Sequence, residues 1–295
     1  MLALAVGLAA LLIWAAFVFF GSRWINFGAN KEHDGALGFE LQAAPWSDHH
    51  VESLLVRNPS SPILLNQYVA NAAERKDWPE ALRRADLFAA RAPRSPQAWL
   101  ARADVLRRAG RTEEAVALLR KAVRRMPRAL EILAAWADEA VRRKDWAEAA
   151  RRLERVRQRG PESVYGYETG ASVLIEDGRG DEAEAVIAEG LLRVPKTRTV
   201  AMLRAAAQVA GRLGNHSEAI CRWEALRSQF PSEPSGFLEG AEALARVGRG
   251  EEAATLIRQA RDFFPGNKAI AAAAERLVPP ETPEPSSPPS APRAG

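Results

Sequence analysis

Cysteine is almost missing from this 295-residue chain: Cys221 stands alone. A lone thiol excludes an internal disulfide framework and any multi-cysteine metal site. Histidine is scarce too, at four residues, His33, His49, His50 and His216. His49 and His50 are neighbours, so on a helix they point about 100° apart and cannot form the i, i+4 pair of a zinc helix. The sequence also lacks a phosphate-binding glycine loop, a calcium loop and a G-x-S-x-G elbow. Acidic pairs such as Glu113–Glu114 and Glu251–Glu252 resemble catalytic dyads in isolation. Both stand at a recurrent helix start, where negative charge suits the helix dipole. No cofactor, no metal and no catalytic site is therefore expected. Cys221 is read as a buried or half-buried inert thiol, and His216 as a solvated residue of an inter-helix turn. Lysine supplies only six of the 41 basic residues, and with the abundant alanine this fits a high-GC bacterial genome.

The two ends have compositions of their own. Residues 2–20, LALAVGLAALLIWAAFVFF, hold no charge, and about 20 apolar residues span a bilayer. Trp14 lies inside the run and Trp24 just past it, where an interfacial aromatic belongs. No Lys or Arg precedes the run and no small-x-small cleavage site ends it, so a retained anchor is expected over a cleaved signal peptide. The expectation is a transmembrane anchor over 1–22 and a linker over 23–46. Arg23 and Lys31 follow the span, and positive residues favour the cytoplasmic side. This places the soluble part in the cytoplasm of a bacterial inner-membrane protein, with a periplasmic orientation as the alternative. At the other end, 279–295 holds seven prolines and no large apolar residue. Such a tail cannot bury a core and is expected to be disordered.

Between the ends one sentence recurs. GRTEEAVALLRKAVRRMP, residues 110–127, has relatives ending at Pro93, Pro161, Pro195, Pro231 and Pro265, and successive closing prolines lie 34, 34, 34, 36 and 34 residues apart. In the unit from Ser95 to Pro127, a Ser-Pro start opens a first helix. Trp99, Ala103 and Leu106 fall on one of its faces, and Gly110 stops it. Thr112 is placed to cap a second helix, along which Ala115, Leu118, Leu119 and Ala122 form an apolar stripe. Pro127 ends it. Ala81, Ala115, Ala149, Ala183, Ala219 and Ala253 each lie twelve residues before a closing proline, where a methyl lets two helices approach closely. One such pair cannot bury its own apolar face, so it must stack on neighbours. The two extra residues of the fifth unit, before Gly214, are expected to lengthen or distort its first helix.

The pattern resembles the tetratricopeptide repeat family, whose unit is a 34-residue helix-turn-helix. Besides the alanines and prolines, the resemblance rests on Trp99, Tyr167 and Phe237 early in first helices and on Ala103, Ala137, Ala171 and Ala241 four places later. Leu65, Leu133 and Val69 depart from the pattern. The resemblance implies an all-α solenoid of six helix pairs over 62–265, with capping helices over 47–61 and 266–278. It further implies a concave groove, formed by first helices, that takes an extended peptide or a partner helix. The groove positions carry over to Asn66, Asp104, Arg107, Arg108, Asp138, Arg142, Tyr165, Glu168, Glu176, Arg212, Glu242 and Arg246. A partner-binding scaffold follows, with no enzyme activity. The chain also resembles bacterial inner-membrane members that organise envelope biogenesis. A periplasm-facing envelope or polysaccharide assembly factor is the alternative.

Charge is uneven along the array. Residues 76–160 hold 22 Lys/Arg against 12 Asp/Glu, whereas 161–278 hold 14 against 17. The basic half lies nearer the apolar N-terminus, so anionic lipid is a candidate partner. Nucleic acid is not expected, because the basic runs lack interleaved aromatics for base stacking.

Overall fold

The reason each repeat folds as a hairpin lies in its turn. Midway through each unit the chain must reverse within a few residues, and the reversing residue adopts a left-handed backbone. Four repeats place glycine there, with φ of +78° at Gly110, +76° at Gly178, +80° at Gly214 and +80° at Gly248. Two place lysine there, with φ of +59° at Lys76 and +56° at Lys144. Left-handed backbone costs an L-residue roughly 1–2 kcal/mol. The Lys turns are followed by Asp77 and Asp145, whose side chains accept from the backbone N–H of Glu80 and Glu148 at 3.2 Å, so each second helix there starts from a side-chain cap.

The protein, described by a computed structural model over residues 46–277, is helical throughout apart from turns. The anchor expected over 1–22, the linker before Trp46 and the tail over 279–295 lie outside the described residues. Fourteen α-helices occur among the described residues. They are α1 (Asp48–Arg57), α2 (Pro62–Glu74), α3 (Trp78–Arg91), α4 (Pro96–Arg108), α5 (Thr112–Arg125), α6 (Leu130–Arg142), α7 (Trp146–Arg159), α8 (Val164–Glu176), α9 (Gly180–Arg193), α10 (Thr199–Arg212), α11 (His216–Gln229), α12 (Pro234–Arg246), α13 (Gly250–Phe263) and α14 (Lys268–Leu277). None is long and apolar enough to cross a membrane. The chain divides into two compact units, residues up to 173 and residues from 174 onward.

Within the first unit α2, α4 and α6 each pair antiparallel with the odd-numbered helix that follows, and each pair stacks on the next. The six recurrent alanines are at most 2% exposed, which is the close helix–helix approach expected of a methyl. Successive first helices also touch, α2 on α4 and α4 on α6, whereas no second helix makes a comparable contact with the next second helix. First helices therefore lie on the inner side of the stack. The second unit repeats this arrangement, with α10 against α12 and α12 against α14.

A finer alternation runs through the array. The third residue of every second helix is a glutamate. In the first, third and fifth repeats it pairs forward: Glu80 with Arg84 at 2.7 Å, Glu148 with Arg152 at 2.8 Å, Glu218 with Arg222 at 2.7 Å. Each of these arginines then reaches a carbonyl sixteen residues back, on the first helix of its own repeat: Tyr68 at 2.8 Å, Trp136 at 2.6 Å, Ala206 at 2.8 Å. Arg84 and Arg152 also lie over the rings of Tyr68 and Trp136, at 3.7 and 4.0 Å from their centroids. In the second, fourth and sixth repeats the arginine's position holds Leu118, Val186 or Leu256. The glutamate there turns backward and grips the residue before the helix in a two-pronged pair: Arg111–Glu114, Arg179–Glu182 and Arg249–Glu252, all at 2.6–2.7 Å.

Three expectations need correction, and one, on the insertion, holds. Thr112 is the first helical residue and caps nothing; the position before it, Arg111, makes no side-chain cap bond. The two-residue insertion does lengthen α10, by one residue over the other first helices, and a 3-10 turn at Lys196–Arg198 absorbs the rest. Cys221 is exposed: it stands two residues, about 200° around the helix, from the buried Ala219. His216 opens α11 rather than lying in the turn.

Candidate functional site: the first-helix face

On the inner side of the first unit, α4 and α6 each bring a carboxylate to the same register, Asp104 and Asp138, and both are buried, at 6% and 4% exposure. Both were expected to line the groove. Burial arises because each sits between its own helix pair and the next first helix. Arg107 donates to Asp104 one turn away. Arg142 donates to Glu139 at 2.5 Å, and Glu139 is itself only 3% exposed. Arg108 reaches back one repeat to Glu74 at 3.0 Å. The arginines expected to line the groove are thus each engaged with an acid. Glu74 and Glu139 were missed, though the i, i+3 spacing of Glu139 and Arg142 on a helix was a usable signal.

Asp138 has a different partner. The hydroxyl of Tyr165, from the first turn of α8, donates to its carboxylate. Burial pushes the Asp138 carboxyl up to about 7 from 3.8, while the Tyr165 hydrogen bond and the charge of Arg142 oppose the rise. Burial and the neighbouring carboxylate raise the Tyr165 hydroxyl well above its ordinary range. Asn66, on α2, is half-buried, and its enclosed Oδ1 has no hydrogen-bond partner. Glu168 is half-buried on α8. The face is therefore a chain of mutually satisfied acids, arginines and one tyrosine.

In the second unit the remaining expected residues are also partly committed. Glu176 accepts from Arg212 at 2.6 Å and Glu242 from Arg276 at 2.8 Å. Arg246 is exposed. Arg276, on the closing helix α14, was not anticipated. Burial raises the pKa of half-buried Glu239 on α12, as does the charge of Glu242. Among the described residues no group of three metal-ligating side chains converges. His49 and His50 are exposed on α1.

Two family profiles, both of the tetratricopeptide repeat, match residues 71–129, 140–207 and 204–268, together more than half of the chain. The chain belongs to the tetratricopeptide repeat family. Tetratricopeptide repeats as a class mediate protein–protein binding. A search of curated proteins found no match. Among solved structures, the C-terminal part of a tetratricopeptide repeat-containing protein from Cytophaga hutchinsonii is 13% identical with a TM-score of 0.54, covering 77% of this chain and 92% of that one. A tetratricopeptide repeat protein from Parabacteroides merdae is 14% identical with a TM-score of 0.50, covering 79% and 91%. At such identities the likeness concerns the fold.

Proposed function

We propose that this chain is a non-catalytic tetratricopeptide scaffold that holds partner proteins on its first-helix faces. On this reading residues 1–22 anchor it in a bacterial inner membrane, the array lies on the cytoplasmic side, and its task is assembly of envelope complexes. The supporting observation is the register of polar side chains on the inner helices: Asp104 and Asp138 in one unit, Gln208 and Glu242 in the other. Stability alone would be served by apolar residues at buried positions such as 104 and 138, since burying a charge is costly. The geometry changes how the face is tested. Reversing Arg107 or Arg142 to glutamate would place like charge against buried Asp104 or Glu139 and destabilise the stack itself.

A photo-crosslinking residue at Gln97 or Gln208 avoids that difficulty. In cells, each site is expected to trap a partner, while a crosslinker at Lys121 on the outer helix α5 traps none. Trapping from Lys121 alone would move the partner to the outer wall. A C-terminal reporter active only in the cytoplasm tests the orientation, and activity of a periplasm-only reporter would reverse it.

A further inference from the structure

The two edges of the first unit differ in charge. At the edge where first helices end, basic and acidic residues are mixed: Lys76, Arg143 and Lys144 are exposed there, but Arg75 pairs with Asp48 at 2.9 Å, Arg111 with Glu114 at 2.6 Å and Arg151 with Glu148 at 2.7 Å. At the other edge lie the turns that lead from each second helix to the next first helix. Residues 57–62, 91–96 and 125–130 hold five arginines and no carboxylate. Arg57, Arg91, Arg94, Arg125 and Arg128 are exposed, and none is in an ion pair among the described residues. Exposed Arg124 and Arg159, at the ends of α5 and α7, extend the row, and exposed Glu131 and Glu162 are the acids beside it. The antiparallel stacking of α1 to α7 puts all these turns on one side. The same edge carries two solvent-facing aliphatic side chains, Val56 at 84% and Ile63 at 59% exposure, on either side of the first turn.

We propose that this arginine-lined edge docks on an anionic lipid surface, with Val56 and Ile63 entering the headgroup layer. Guanidinium groups match phosphate geometry and hold it by paired hydrogen bonds. Basic residues on a protein are drawn to anionic leaflets, and exposed aliphatic groups add to binding at the interface. A peptide would call for a concave pocket, but these turns protrude. A single-stranded nucleic acid would call for exposed aromatics to stack on, and the edge turns carry none. An anchor over residues 1–22, as proposed above, would hold this edge near a bilayer, but docking does not depend on it.

The test uses the full chain with Cys221→Ser and a dye on Ser60→Cys, in the first edge turn. The protein is added to phosphatidylcholine bilayers with or without phosphatidylglycerol, each containing headgroup spin-labelled lipid. Quenching is expected only with the anionic lipid and is expected to vanish at high salt. Arg94→Gln with Arg125→Gln and Arg128→Gln should weaken the anion-dependent quenching. Each lost charge is worth roughly fivefold in partitioning, so roughly a hundredfold for the three. Val56→Asp with Ile63→Asp provides a second, charge-independent variant with the same expected direction. Equal quenching in both bilayers would show that an anchor alone holds the protein there and would overturn the proposal. So would wild-type quenching in the triple variant, or displacement from the anionic bilayer by an equimolar DNA oligonucleotide.

Discussion

Asp138→Asn should gain stability over the wild type as pH rises from about 4 to about 7, so the advantage is larger at pH 8 than at pH 5. The folded carboxyl titrates near 7 against 3.8 for an exposed aspartate. Between those values the folded state keeps a proton that the unfolded state has lost, so stability falls as pH rises and levels off above 7. One pKa unit is worth about 1.4 kcal/mol. From pH 5 to pH 8, Asp138 thus costs the wild type roughly 3 kcal/mol, and asparagine escapes that cost. Asparagine still offers an oxygen to the Tyr165 hydroxyl, so the local hydrogen bond survives. Urea denaturation of wild type and variant at pH 5 and pH 8, followed by far-ultraviolet circular dichroism, reads the difference. Taking variant minus wild type at each pH removes titrations elsewhere. A difference that is the same at both pH values would refute the argument and mean that Tyr165 and Arg142 keep the carboxylate charged inside the fold.

Other perturbations follow from single observations. Lys144→Gly, at the left-handed turn residue, should stabilise by up to about 1 kcal/mol, read as a higher melting temperature; a decrease would mean the Lys144 side chain contributes to the fold. Gly236→Ala should destabilise by ~1–3 kcal/mol, because a Cβ there would stand 2.8 Å from Arg227 Cγ and 3.2 Å from its backbone nitrogen. Gly250→Ala, with nothing within 4 Å, is the matched control and should not lower the melting temperature. Ala115→Leu or Ala183→Leu, each on a fully buried methyl, should also cost ~1–3 kcal/mol, and a negligible shift would contradict the helix-pair packing. Asp48→Asn should destabilise at neutral pH, because Arg84, Asn71 and Arg75 hold that carboxyl well below its ordinary range; the difference from wild type should shrink as pH falls below about 4.

The spacing of the closing prolines and the twelve-residue offset of the alanines carried the helix pairs into plain view, since both depend on local chain geometry that repeats with the period. The burial of Asp104, Asp138 and Glu139 was not visible, because it is set by the neighbouring repeat and not by the helix that bears them. Cys221 was misread for a simpler reason: its helix was identified but its face was not. Arg111 illustrates a third case. The side chain before a second helix was expected to cap it through Thr112, yet the structure clamps the helix start with an arginine–glutamate pair, and the recurring Gly-Arg-x-x-Glu string already contained both members.

The alternating direction of the third-position glutamate gives the array a hidden grain. A repeat whose arginine inserts beneath a first helix is followed by one whose arginine stays outside, and the interior of each is filled to suit. Removing one interior 34-residue unit would bring two repeats of the same kind into succession. Removing 68 residues would restore the sequence of kinds at the junction. Lineages of this chain should therefore lengthen and shorten in steps of two repeats, and an engineer trimming it should cut by the same measure.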